Sequence, residues 1–575
     1  MVPSRQLSCP RIHRGDGLDP TASRAFALIL YRDVVTPTTA RVLPLAPAVA
    51  TAAVAGLLTR FAFPAPGIWP LAVLGVALWV VCSAGRTWRS GAAVGLAYGA
   101  GFFVPLLSWS GVYVGALPWL ALATLQALYL ALLGALLPAA LRLPRSLAAL
   151  AVAGLWVGQE ALRDRTPYGG FPWGRLAFAQ ADSPFTPLAA IGGAPLVSFA
   201  VALAGALLGL AALALLALRG RPTLAHAGVR AAALSVLAAV VATGCGLLVA
   251  LPTSGRPVQV AGIQGNVPKA GLDFNAERRA VLDNHARLTR QLAASVAAGT
   301  APAPDLVIWP ENASDIDPFR QADARAVIDS AVDEVGVPTL VGAVLRRPDG
   351  RLTNASIVWT PNAGPGPLYA KRHPVPFGEY IPNRDFFRRF STQVDLVVRD
   401  FAGGDTVGRL DVGPARLGVG ICFEVAYDGL MRDTVQAGAD LLVVQTNNAT
   451  FGFTDEAVQQ LAMSRLRAVE HGRAVAHVST VGVSALIAPD GRVLERSSLF
   501  TPAVLQAALP LRTQLTLATR LGEWPEALLT VLGLGLLALG AGRDRRRRTE
   551  ARLGASPVES SGASANVDVV TSEVR

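Results

Sequence analysis

The sequence predicts two joined architectures: a polytopic α-helical membrane domain of about eight spans, and an α/β layered domain built as a sandwich with helices outside. Three observations predict them. Of 575 residues, 52% are hydrophobic and only 16% charged, and the mean hydropathy of +0.42 is that of a membrane protein. Apolar runs near membrane-spanning length recur between positions 43 and 251 and return once near 523. Between them, residues 256 to about 512 change to short β-branched runs separated by polar helical stretches.

Taken in order, residues 1–40 lack a targeting signal, since no apolar stretch precedes Leu7-Ser8-Cys9, and are expected to form a disordered cytoplasmic leader. The membrane domain, 41–255, is expected to hold about seven helices, from runs at 43–62, 68–85, 91–112, 115–141, 146–163, 187–218 and 229–251. Pro64 and Pro66 punctuate the first two, which leaves half-buried or re-entrant helices open there. A run at 523–541 predicts a C-terminal transmembrane helix at 520–542, and 543–575 is expected to be a basic, disordered cytoplasmic tail.

Charge in the connectors orients these spans. The 51 Lys+Arg exceed the 40 Asp+Glu, but many arginines sit between apolar runs: Arg86 and Arg89 after the second, Arg142 and Arg145 after the fourth, Arg219, Arg221 and Arg230 after the sixth, and Arg543 to Arg548 after the last. That distribution marks cytoplasmic ends rather than a nucleic-acid surface, and it puts both termini inside and residues 256–515 outside. The exception is Arg163, Arg165 and Arg175 around the fifth run. The turn-forming, aromatic segment Tyr168-Gly169-Gly170-Phe171-Pro172-Trp173 beside them is expected to be structured against the soluble domain.

Within 256–515, Val258–Ile263, Asp305–Trp309, Thr339–Val344, Leu417–Ile421 and Leu441–Gln445 read as buried strands, and residues 275–297, 321–335 and 455–473 as helices. Of the cysteines, only Cys422 lies in this polar region, and neither a disulfide framework nor a metal-ligand spacing is present. Cys422 and Glu311 each follow a predicted strand, where loops place reactive groups at the rim of a sheet, and Lys371 sits in a Pro-rich connector. A thiol attacks as thiolate, so it needs a base and a positive partner. Glu311 would take the proton if burial raised its pKa; Lys371 and a backbone N–H near Phe423 would face the oxyanion; Glu379 and Glu424 are close enough in sequence to orient Lys371 and Cys422. Taken singly, a lone Cys after a strand is more often a small core residue, Glu311 a helix-start neighbour, Lys371 a surface charge, and His373 a rival base.

Jointly, Trp309-Pro310-Glu311-Asn312, Ala370-Lys371-Arg372-His373-Pro374 and Gly420-Ile421-Cys422-Phe423-Glu424 resemble the nitrilase (carbon-nitrogen hydrolase) superfamily, whose Glu-Lys-Cys triad sits on an αββα sandwich. The extension His373 to Pro382, the apolar runs on both sides, Phe63-Pro64-Ala65-Pro66-Gly67-Ile68-Trp69-Pro70 and Gly170-Phe171-Pro172-Trp173 resemble the membrane-embedded apolipoprotein N-acyltransferase family within it. The resemblance implies a catalytic triad of Glu311, Lys371 and Cys422, with Glu379, Glu424 and Glu470 supporting it. It implies ping-pong acyl transfer from a phospholipid, through a Cys422 thioester, to the α-amino group of a lipoprotein's diacylglyceryl-cysteine, at the outer face of the bacterial inner membrane. No metal, soluble cofactor or nucleic acid is implied, and the chain is expected to be a monomer.

Two positions depart from the family pattern: Phe423 stands where Tyr is often found, and Thr450 where Trp is common. Two other readings of the chain stay open at this level: a membrane-anchored amidohydrolase using water as second acceptor, and a non-catalytic scaffold for an envelope glycosyltransferase. A thioester meant for an amine needs shielding from water, which favours a lipid-facing acyltransferase.

Overall fold

The computed structural model describes residues 43–218, 225–267 and 277–553. The expected leader, Arg219 and Arg221, and residues 554–575 of the expected tail lie outside them. Every apolar run is a helix: α1 (Leu45–Phe61), α2 (Pro70–Ser83), α3 (Trp88–Leu106), α4 (Ala116–Ala140), α5 (Arg145–Arg163), α6 (Ala189–Leu216), α7 (Ala225–Gly244) and, after the polar region, a helix over Trp524–Leu553. Among the described residues, four segments are long and apolar enough to cross a membrane: Ala116–Ala140, Thr186–Leu216, His226–Leu248 and Trp524–Gly542. The expectation of about eight spans is therefore met only in part. Helix α2 has 14 residues, and at 1.5 Å each reaches about 21 Å, against a hydrocarbon core of about 30 Å. The last helix continues past residue 543, where the sequence suggested that a disordered tail begins.

Small residues let these helices approach. On α3, a Cβ at Gly95 would lie 2.3 Å from Leu130 O of α4, and one at Gly134 of α4 would lie 2.4 Å from Gly91 O. Backbones that close leave no room for side chains, and van der Waals contact replaces the hydrophobic drive that lipid does not supply. The terminal helix returns to α5 in the same way, a Cβ at Gly154 falling 2.6 Å from Leu529 O.

The polar region is two six-stranded sheets packed face to face. Its elements in order are β1 (Arg256–Gln264), α8 (Arg278–Ala297), β2 (Leu306–Ile308), α9 (Ala322–Val335), β3 (Thr339–Arg346), β4 (Leu352–Thr360), β5 (Gly364–Ala370), α10 (Arg384–Arg388), β6 (Arg409–Val412), β7 (Ala415–Ile421), α11 (Asp428–Gln436), β8 (Leu441–Thr446), α12 (Glu456–His471), β9 (Val475–Ser479), β10 (Ala485–Ile487), β11 (Val493–Arg496), β12 (Ala503–Leu511) and α13 (Leu517–Leu521); α14 is the terminal helix Trp524–Leu553. The sheets run β12-β1-β2-β3-β4-β5 and β11-β10-β9-β8-β7-β6. In each, three central strands are parallel, β1-β2-β3 and β7-β8-β9, and the flanking pairs are antiparallel.

Side-chain alternation builds the layers. Val258, Val260, Leu417, Val419, Leu441 and Val443 fill the space between the sheets. Ala261, Ile263 and Trp309 face outward onto Leu282, Leu292, Ile328 and Val332 of α8 and α9. On the other side Leu442 and Val444 face α11 and α12, and the same apolar cluster continues through Met431, Leu461 and Leu466 into Trp156, Val197 and Phe178 of the helical region. The five predicted strands and three predicted helices are all present.

Candidate active site

Strand direction gathers the site. The parallel strands end at one rim, and four loops converge there: Glu311 after β2, Cys422 after β7, Asn447 and Asn448 after β8, and Thr480 after β9. Lys371 reaches the same rim because two successive antiparallel pairings, β3 with β4 and β4 with β5, turn β5 back parallel to β3; it stands directly after β5, an edge strand that tolerates Pro365 and Pro367 because one side carries no partner.

Cys422 opens a short 3-10 turn with φ of 53°, a left-handed conformation that non-glycine residues adopt only where surroundings enforce it. Glu424 is the enforcing group. Its buried carboxylate accepts from Ile421 N at 2.8 Å, Arg372 N at 2.8 Å, His373 N at 3.1 Å and Tyr369 OH at 2.8 Å. One carboxylate thus staples the nucleophile's turn to the segment that carries Lys371.

Glu311 Oε1 accepts from Asn354 Nδ2 at 2.5 Å and from Lys371 Nζ at 3.3 Å, while Oε2 accepts from Asn447 N at 2.8 Å. Lys371 Nζ also lies 2.9 Å from Glu379 Oε2, and Val375 N–H donates to that oxygen at 2.7 Å. Flanked by two carboxylates, the Lys371 ammonium is held well above its ordinary pKa despite burial. Burial, opposed by Lys371, raises the Glu311 carboxyl, which suits it to accept a proton. Burial first, and then the nearby Glu311, push the Cys422 thiol up against the pull of Lys371, so the resting sulfur is protonated.

The geometry therefore brings together Glu311, Lys371, Cys422, Glu379 and Glu424. Glu470 is elsewhere. It pairs with Arg467 on α12, within an ion network that runs through Asp428 to Arg175 from the helical region, with Arg467–Asp428 at 2.7 Å and Arg175–Asp428 at 2.8 Å. His373 does not engage the thiol; its ring packs 4.3 Å from Tyr427 and 6.4 Å from Phe423. Asn354 and Tyr369, both reaching site carboxylates, are not singled out by the sequence; Asn354 sits in a strand that also holds Thr353 and Ser356, so its amide carries no distinct local signal.

One wall of the site is aromatic and comes from the helical region. Phe423 stacks on Phe171 at 5.5 Å and on Trp173 at 6.3 Å, and Trp173 lies 5.1 Å from Trp109. Trp173 Nε1 donates to Gln459 of α12 at 2.7 Å and Tyr427 OH to Gly170 O at 3.0 Å, so the segment 168–173 packs on the sandwich as expected. The exceptional arginines are also accounted for: Arg165 pairs with Glu526 at 2.6 Å, Arg175 with Asp428, and Arg163 donates to Phe171 O at 3.1 Å. Beside Thr450, Phe451 supplies the ring at that turn, 5.0 Å from Trp109.

Residues 55–207 match the family profile described as apolipoprotein N-acyltransferase N-terminal domain, and residues 259–516 match carbon-nitrogen hydrolase. An apolipoprotein N-acyltransferase of Mycolicibacterium smegmatis is 42% identical over 508 residues, covering 84% of this chain and 83% of that one. The chain belongs to the apolipoprotein N-acyltransferase family. A second relative of that name, from Azotobacter vinelandii, is 34% identical over 86% of this chain and 94% of its own. Among solved structures, a nitrilase-superfamily amidase of Nesterenkonia AN1 aligns with 45% of the chain and 93% of its own length, at 18% identity and a TM-score of 0.33. Family membership makes the chain an acyltransferase, with a carbon-nitrogen hydrolase domain joined to apolar helices.

Proposed function

We propose that this acyltransferase moves an acyl chain from a membrane phospholipid, through a Cys422 thioester, to the α-amino group of the diacylglyceryl-cysteine of a lipoprotein. The observation that carries the proposal is the position of Cys422: its sulfur feels Glu311 and Lys371, and the next residue, Phe423, stacks on Phe171 and Trp173 of the α5–α6 connector. Acyl chains arriving from lipid would reach such a sulfur without crossing water.

In the first half-reaction Glu311 takes the thiol proton and Cys422 Sγ attacks the ester carbonyl. Lys371 has three N–H donors, two directed at Glu311 and Glu379, and the third would meet the oxyanion with a backbone N–H near Phe423. Collapse expels the lysophospholipid alkoxide, which regains the proton from Glu311. In the second half-reaction the acceptor amine attacks the thioester, Glu311 takes the amine proton, and the departing thiolate recovers it. Glu379 and Glu424 position Lys371 and the nucleophile turn; Glu470 supports the joint between sandwich and helices.

The finer topology belongs to the same proposal: a multi-pass protein of the bacterial inner membrane, with the sandwich extracytoplasmic and both termini cytoplasmic. The ends of α1, α3 and α5 meet the sandwich, through Arg60–Asp455, Trp109–Phe451 and Arg175–Asp428, which supports alternating passage of the helices. The basic exits of α2, α4 and α6 would then face the cytoplasm.

The test is mass spectrometry of wild type and Cys422→Ala after incubation with phospholipid. A fatty-acyl adduct on Cys422, removed by neutral hydroxylamine and discharged as an amide by a diacylated lipopeptide, is expected in the wild type only. Hydrolysis of small amides with no adduct would replace acyl transfer by an amidohydrolase.

A further inference from the structure

A chain of hydrogen bonds reaches the nucleophile from the carboxyl ends of β8 and β9 and starts at a backbone amide. Gly482 N–H can only donate, and it donates to Ser479 Oγ at 2.7 Å. The Ser479 hydroxyl turns its own proton to Asn448 Oδ1, 2.5 Å away. With its oxygen taken by Ser479, the Asn448 amide donates through its nitrogen to Glu456 Oε2 at 2.7 Å and to Gln460 Oε1 at 3.1 Å. Thr446 Oγ1 donates to the same Gln460 oxygen at 2.9 Å. With its oxygen occupied by two donors, the Gln460 amide presents Nε2 to Cys422 Sγ at 3.6 Å.

We propose that Gln460 is the hydrogen-bond donor that holds the Cys422 thiolate, and that Ser479 and Asn448 are positioning residues that fix the polarity of its amide. The inference rests on Cys422 being the nucleophile, as proposed above. A donor aimed at sulfur binds a thiolate more strongly than a thiol or a thioester, because charge strengthens the bond. It therefore favours the charged sulfur twice: when Glu311 withdraws the proton, and when the amine expels the thiolate. The other groups facing the sulfur are Glu311 and Glu456, which oppose the thiolate, and Lys371, which favours it; the Thr446 hydroxyl favours it only where it turns its one proton from Gln460 to the sulfur. Gln460 is the neutral donor contributed by α12, and Glu456 of the same helix closes the network by accepting from Asn448.

The experiment is iodoacetamide alkylation of the full-length protein in detergent over a range of pH. The Cys422 peptide is quantified by mass spectrometry, so that Cys9, Cys82 and Cys245 do not contribute. Gln460→Leu is expected to slow alkylation of Cys422 about tenfold at a given pH and to move the profile up by about one pH unit. Ser479→Ala, which frees the Asn448 amide to turn over, is expected to move it in the same direction by less. A Gln460→Leu protein with wild-type Tm and a superimposable profile overturns the inference; should that variant not fold, an unmoved profile in Ser479→Ala does so. Alkylation needs no acyl donor, so a wild type that forms no phospholipid-derived adduct bears on the acyl-transfer reading alone.

Discussion

Glu424 is the residue that most constrains its neighbours. Four donors point at it, one from the start of the nucleophile turn and three from the β5 end. Glu424→Gln would turn an amide NH2 against at least one of those donors, and a buried donor left unmatched costs about 1–3 kcal/mol. The expected outcome is a lowered Tm together with loss of acyl-adduct formation, measured on the same preparation, because the Lys371 segment and the Cys422 turn lose their common anchor. Glu456 offers a pH test. Burial and the nearby Glu311 push its carboxyl up to about 8. Below that pH the group is neutral and Glu456→Gln should alkylate at Cys422 like wild type. Above it the ionised carboxylate opposes the thiolate, so the variant should react faster than wild type by roughly 2- to 10-fold. Equal rates above that pH would show that Glu456 does not act on the sulfur.

At the scale of elements, the joint between α12, α11 and the α5–α6 connector is ionic. Asp428 bridges Arg175 and Arg467, and these two guanidinium groups hold its carboxyl well below the ordinary range despite burial. Because the folded pKa is depressed, the stabilisation is fully present above the unfolded value of about 3.9 and is lost as pH falls toward the folded one. Wild type should therefore exceed Asp428→Asn in Tm by a constant margin above about pH 5, and the margin should shrink below about pH 4. A margin that does not change with pH would assign the effect to packing. The adjoining kink of α6 depends on Gly193, whose φ of 68° and clearance permit no side chain: a Cβ there would lie 2.7 Å from Glu470 Oε1. Elements with a strong apolar pattern were legible in the sequence, including β1, β7 and β8 with their short runs rich in Val, Ile and Leu. Strand β5 was not, because Gly364, Pro365, Gly366 and Pro367 carry no strand signal and only its edge position makes pairing workable. Strand β12 was equally hidden, since its partner β1 lies far away in sequence.

At the scale of the whole molecule, sandwich and helices share one apolar core, and polar tethers fix their relation. Arg60 at the end of α1 pairs with Asp455 at the start of α12, the helix that carries Gln460, and donates to Ala65 O at 3.2 Å. Arg60→Ala should slow acyl-adduct formation from phospholipid vesicles several-fold while leaving iodoacetamide alkylation of Cys422 unchanged, since only the lipid route crosses the joint. Equal slowing of both reactions would place the effect inside the site instead. The two-part architecture, the helical nature of every apolar run and the candidacy of Glu311, Lys371 and Cys422 were all legible in the sequence. Those follow from hydropathy over about 20 residues and from local strand-loop pattern, both properties of adjacent positions. Folding alone puts Glu470 in the domain joint, brings Asn354, Asn448 and Gln460 to the site, and stacks Phe171 and Trp173 on Phe423 beside the nucleophile. Each of those facts depends on which loops meet at the rim of two facing sheets, and pairings between residues tens to hundreds of positions apart leave no local trace in composition or period.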